Sequence, residues 1–125
     1  MRTLLIGAAF LIASVGVPPA YGQKATEQYI PLGQSPGVSG KISSIGEISG
    51  TDARERTLTL AEPSGSRTVK ITEKTRIFLD RSKLKQASLT GTFDDLRKGR
   101  RAEIKYEDPA LKQVADWVKV EITQP

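Results

Sequence analysis

From Arg56 to Ala61 the sequence runs Arg-Thr-Leu-Thr-Leu-Ala, with Leu58 and Leu60 at one parity and Thr57 and Thr59 at the other. Successive side chains of a β-strand point to opposite faces, so this run can cover a core with one face and meet water with the other. The same rhythm recurs along the chain. Val69 and Ile71 share a face in Arg67–Ile71, and Ile77 and Leu79 do so in Thr75–Leu79, which continues or restarts that strand. Ala102, Ile104 and Tyr106 align in Arg101–Tyr106, and Val118, Val120 and Ile122 align in Val114–Ile122. Lys41–Ile48 is a further strand, punctuated by Gly40, Gly46 and Gly50, where a bulge or tight bend is expected.

The segments between these runs read as turns. Glu62-Pro63-Ser64-Gly65-Ser66 is a turn signal that folds the following run back as a hairpin. Asp80 to Gly91 is polar and irregular. Thr92 to Gly99 predicts a short helix: Thr92 caps it, Asp94 and Asp95 sit in its first turn, basic residues close it and Gly99 ends it. Asp108-Pro109 turns the chain before the last strand. Five short strands with one short helix predict an all-β domain over 40–125, a small closed or half-closed barrel. The OB-fold, a five-stranded Greek-key barrel, is the best candidate. Closure would also hide the sheet edges.

Ahead of this domain, residues 1–22 carry Arg2, an apolar run from Leu4 to Val17, then Pro18, Pro19 and small residues up to Gly22. This is the pattern of a cleaved secretory signal, and the run is short against the roughly 20 apolar residues of a membrane span. The expectation is a periplasmic or secreted protein, with no transmembrane span after cleavage and no nucleic-acid partner. Residues 23–39 are rich in Gly, Pro, Ser and Gln and read as a flexible leader, with Ile30 and Leu32 as its apolar contacts if it packs on the barrel.

The chain contains no Cys and no His. Disulfide staples are excluded, and so are Ser-His-Asp and Cys-His catalysis. The commonest transition-metal ligands are missing, so no metal and no cofactor is expected. The acidic pairs Asp94-Asp95 and Glu107-Asp108 are adjacent in sequence. Neither pair alone forms a facing carboxylate dyad, and turn and cap duty accounts for Asp94, Asp95 and Asp108. No catalytic residue is assigned.

Lys and Arg number 19 against 14 Asp and Glu, and the signs alternate through most of the domain. The dense exception is Arg97, Lys98, Arg100 and Arg101, with Arg81, Lys83 and Lys85 as possible neighbours. As a solvated helix end it would complement the dipole; as a patch it would attract an anionic polymer with strong salt dependence. Tyr106 and Trp117, close in sequence to Lys105 and Lys119, are the candidate stacking aromatics, and packing in the core is the competing account of both. Trp117 has the opposite parity to Val118 and Val120.

The residues Gly40-Lys41-Ile42, Thr75-Arg76-Ile77 and Asp95-Leu96-Arg97-Lys98-Gly99 leading to Glu103 carry a family likeness. In them the chain resembles small exported bacterial OB-fold-like barrel domains grouped as a domain of unknown function. The resemblance implies fold and export and brings no chemistry. A second likeness, to periplasmic copper chaperones of OB-fold type, fails on ligands: Trp117 is present, but His is absent and the single Met is Met1. The expected function is a non-enzymatic exported module that binds or scaffolds in the bacterial cell envelope, with an envelope protein as partner. The alternative is a binder of anionic polymers, such as a polysaccharide, through the basic patch.

Overall fold

The computed structural model describes residues 27–124. The expected signal segment 1–22 and the first residues of the expected leader lie outside them. Seven strands form one sheet: β1 (Ser43–Asp52), β2 (Thr57–Glu62), β3 (Gly65–Lys70), β4 (Arg76–Asp80), β5 (Leu89–Thr90), β6 (Arg101–Tyr106) and β7 (Ala115–Glu121). Their order across the sheet is β3-β2-β1-β6-β7-β4-β5. Every pairing is antiparallel except β4 with β7, which run parallel from Arg76↔Trp117 to Asp80↔Glu121. The ladder is open, yet Lys70 at the end of β3 makes a parallel bridge to Val114, and its N–H donates to Gln113 O at 2.9 Å.

The alternating runs became strands for the reason expected. Leu58, Leu60, Val69, Ile77, Ala102, Ile104, Val118 and Val120 are buried on one face and form the main core. Two expectations are corrected. The sheet has seven strands and not five, because the third run is interrupted and a short strand is added. At the interruption Thr72 N–H donates to Thr75 Oγ1 at 2.9 Å and Thr75 N–H returns to Thr72 O at 3.1 Å, forming a tight turn. Leu89–Thr90 then pairs with Phe78 and Leu79 inside the stretch expected to be irregular.

The second correction is the helix. Thr92–Gly99 contains a single 3-10 turn, Phe93–Asp95. Thr92 stands at its N-cap as the sequence suggests, and the bond there comes from its main chain: Thr92 N–H donates to Asp95 Oδ2 at 2.8 Å. The turn cannot lengthen because Leu96 has to enter the core, where it is 2% exposed. Gly99 N–H must then reach Ile48 O, at 2.8 Å, to start β6 against β1.

Residues 27–42 lie against the opposite face of the sheet as a strap of consecutive turns. Gln34 N–H donates to Pro31 O, Val38 N–H to Ser35 O, and Ile42 N–H to Val38 O. Gly33, Gly37 and Gly40 all take positive φ, from 75° to 85°, which only glycine adopts at little cost. Leu32 is buried at 6% exposure and Ile30 is half-buried. The strap therefore covers part of β4, β6 and β7, and the sheet is buried on both faces there.

Candidate functional site

The basic cluster does not stay together. Arg100 precedes β6 and Arg101 opens it. The Arg101 guanidinium lies 3.6 Å from Glu121, a carboxylate it shares with Lys83, also at 3.6 Å. Lys98 is exposed and, among the described residues, has no ion-pair partner. Arg97 and Arg100 instead line a groove with Arg81, whose apolar floor includes Leu79, Leu84, Leu89 and Ile122. The groove encloses about 360 Å³. Leu89 is 45% exposed.

Main-chain carbonyls hold these three guanidiniums. Arg81 Nε donates to Ala87 O at 2.7 Å, Arg100 Nη1 to Asp95 O at 2.9 Å, and Arg97 Nε to Asp94 O at 3.5 Å. A guanidinium has five N–H donors, so each keeps further donors for an anion. Asp95 is the acidic group in the lining, and its Oδ2 is engaged by Thr92. Arg81 was legible as a neighbour of the cluster; the apolar floor was not, since its residues come from four separate segments.

The aromatic platform is corrected. Tyr106 is fully buried, its hydroxyl donating to Ser44 Oγ at 2.8 Å. Burial pushes its phenol above the usual range, against the hydrogen bond to Ser44. Trp117 does leave the main core, as its parity requires, but is only 3% exposed. Phe78 packs on it with ring centroids 6.3 Å apart, and Lys119 Nζ sits 4.8 Å from its centroid. Neither ring offers a face for a base or sugar to stack on.

Under the strap, buried polar groups occupy the side of the sheet opposite Ile104 and Val118. Glu103 and Lys119 are fully buried, and Asp80 and Ser35 nearly so. Glu103 accepts from Gly33 N–H at 2.8 Å, Ser39 Oγ at 2.5 Å and Ser43 Oγ at 2.7 Å. Asp80 accepts from Leu32 N–H at 2.8 Å and Ser82 N–H at 2.9 Å. Burial alone would raise the Asp80 carboxyl, but these hydrogen bonds and nearby Lys119 hold it below its ordinary value. Lys119 Nζ donates to Glu27 Oε2 at 2.7 Å and Ser35 Oγ at 3.3 Å.

Two serine arrangements look catalytic by spacing. Gly33-Gln34-Ser35-Pro36-Gly37 has the spacing of a nucleophile elbow, and Ser82 stands three residues before Lys85. Ser35 is 4% exposed, with its hydroxyl donating to Glu27 at 2.5 Å. It is a buried turn residue with no path for a substrate. Ser82 and Lys85 are both exposed; Lys85 N–H donates to Ser82 O at 3.0 Å, and among the described residues no hydrogen bond joins their side chains. Asp108 has turn duty, accepting from Ala110 N–H at 2.9 Å. Among the described residues no three His, Cys, Asp or Glu side chains gather to hold a metal. No described helix is long and apolar enough to cross a membrane.

A larger groove of about 820 Å³ runs between Arg56, Lys70, Thr72, Lys74, Glu107 and Val114. Glu73 also lines it, so cations and carboxylates are mixed along it and it has no dominant sign.

No protein-family profile matches the chain, and no curated protein matches it significantly. Two solved structures are similar. The Cu(II) form of a CusF variant from Escherichia coli has a TM-score of 0.44 and 13% identity, covering 62% of this chain and 88% of that one. The Ag(I) form of CusF has a TM-score of 0.43 and 13% identity, covering 62% of this chain and 93% of that one.

Proposed function

We propose that this protein is a non-enzymatic, exported binding module of the bacterial cell envelope, and that it takes an anionic polymer along the groove of Arg81, Arg97 and Arg100. The observation that carries the reading is the engagement of these guanidiniums by main-chain carbonyls beside an apolar floor. The arginines are oriented, yet among the described residues no carboxylate pairs with them. A polyanion with apolar ring faces, such as an acidic polysaccharide, matches both the cations and Leu79, Leu84 and Leu89. The pattern of residues 1–22 supports export and a periplasmic or secreted location. The pairing of β1 with both β2 and β6, and of β7 in parallel with β4, supports an OB-like barrel whose third strand is split.

The test is retention on a heparin resin. The wild-type domain is expected to bind at low ionic strength and elute as salt rises. Arg81, Arg97 and Arg100 all changed to Ala should elute much earlier, whereas Lys83 and Arg101 changed to Ala should elute closer to wild type. Equal shifts for both variants would reduce the reading to net charge.

A second reading rests on β3. Over Gly65–Val69 this strand pairs, among the described residues, with β2 alone, which offers its outer edge for strand addition by an envelope protein. In-cell cross-linking from Thr68, which is exposed, should then capture one or two specific proteins.

A further inference from the structure

The apolar floor of the Arg81–Arg97–Arg100 groove is aliphatic. Leu79 comes from β4, Leu84 from the 3-10 turn Ser82–Leu84, Leu89 from β5, and Ile122 from the position after β7. Leu79 and Leu84 pack on the main core, to which Ile122 belongs, so the floor is continuous with the interior. The chain around it is held by main-chain bonds. Gly91 N–H donates to Ile77 O at 2.8 Å, and Gln86 N–H to Arg81 O at 3.2 Å. At Gly91 a Cβ would stand 2.6 Å from Leu79 Cδ2, so the loop closes tightly against that leucine. The trough is thus built by the fold itself. Leu89, 45% exposed, still has apolar area to bury. An aliphatic floor selects among anionic ligands. The ring faces of a sugar cover part of it, but the surrounding hydroxyls keep their water. A hydrocarbon chain has no polar group to desolvate and gains with each methylene it buries. Beside the floor stand three guanidiniums with N–H donors left for an anion. The groove therefore complements a molecule that is hydrocarbon along one part and anionic at its end.

We propose that the ligand of this groove is an acylated acidic saccharide: its acyl chain lies on Leu79, Leu84, Leu89 and Ile122 while its anionic groups meet Arg81, Arg97 and Arg100. The inference deepens the polymer reading and rests on it for the anion site. It adds that the saccharide carries a chain, and that the chain supplies a separate, salt-insensitive part of the affinity.

The experiment is a chain-length series. Inorganic phosphate and butyl, hexyl and octyl phosphate, each below its micellar range, are titrated into the protein at constant ionic strength, with binding read by calorimetry. Saturable binding is expected that tightens up to about fourfold for each added methylene while the floor is being covered. Octyl glucoside, with the same tail and no charge, should bind far more weakly than octyl phosphate. Leu89→Ser should flatten the chain-length dependence and leave binding of inorganic phosphate unchanged. Leu111→Ser, at a leucine 60% exposed and outside the groove, should leave the whole series unchanged. Arg81, Arg97 and Arg100 all changed to Ala should weaken every phosphate. Octyl phosphate binding no tighter than inorganic phosphate, or a chain-length gain that persists in Leu89→Ser combined with Leu84→Ser, would overturn the proposal. If the triple-arginine variant still elutes early from heparin in that event, the acyl chain alone is removed and the polymer reading stands. If it elutes with wild type, both are removed.

Discussion

Glu103 and Lys119 stand directly opposite each other on β6 and β7, both fully buried, yet neither is the other's ion-pair partner. Each is satisfied by the strap: Glu103 by Gly33 and Ser39, Lys119 by Glu27 and Ser35. Two opposite charges buried side by side on one face gain Coulomb energy at some distance, but the hydrogen bonds that offset their desolvation come from residues 27–43. The strap and the face beneath it therefore depend on each other for folding.

Glu103→Ala should cost about 3 kcal/mol or more, since it removes three hydrogen bonds to a charged group, each worth about 1.5–3 kcal/mol, offset in part by loss of the buried charge. Three donors, Gly33 N–H and the hydroxyls of Ser39 and Ser43, lose their acceptor together. Glu103→Gln should cost less, because an amide oxygen can still accept from Gly33 N–H. Urea unfolding of the two variants gives the comparison.

Asp80 provides an acid-side prediction. Its carboxyl is held below the ordinary value in the folded state, so its contribution is present above the unfolded value and is lost as pH falls through the folded one. Asp116, which burial would raise but Lys105 at 3.0 Å and Arg76 at 3.1 Å lower, acts in the same direction. Asp80→Asn should lower stability by about 2 kcal/mol near neutrality, and by less as pH falls through the folded value of Asp80. The urea midpoint measured from pH 7 to pH 2 should therefore fall less steeply for Asp80→Asn than for wild type.

Tyr106 gives the alkaline counterpart. Its folded phenol is raised, so its contribution is complete below the unfolded value of about 10 and declines as pH rises toward the folded one. A phenolate absorbance titration should show one late step that disappears in Tyr106→Phe. That variant should also lose about 1 kcal/mol, by leaving buried Ser44 without its partner.

Gly46 tests the close approach of β1 to β2. A Cβ there would clash with the Ala61 carbonyl oxygen and crowd Leu60. The first neighbour is backbone and cannot swing away. Gly46→Ala should destabilise by about 2 kcal/mol or more, while Gly50→Ala, which meets open space, should cost under about 1 kcal/mol. Thermal melts of the pair separate the two.

Alternation made one side of the sheet legible, because Leu58, Leu60, Ile104 and Val120 each face the core at strand spacing. It failed on the other side for a physical reason. Period-two reading assigns Glu103 and Lys119 to water, and only a segment some 60 to 90 residues earlier in the chain removes that water. Trp117 shows the same limit: its parity was readable, its cover was not. The cap at Thr92 and Asp95 was visible in sequence, whereas the demand that Leu96 turn inward after one turn is tertiary. Arg97 and Arg100 were visible as charge; their union with Arg81 over Leu79 and Ile122 depends on the loop around β5.

The most direct test of the binding account is an NMR titration of the labelled domain with a sulfated or uronate oligosaccharide, following arginine side-chain and leucine methyl signals. The account predicts that Arg81, Arg97 and Arg100 shift together with Leu84 and Leu89, while Arg101 and Lys83 move little. Shifts spread over all exposed cations, or gathered at Arg56, Lys70 and Lys74, would contradict it.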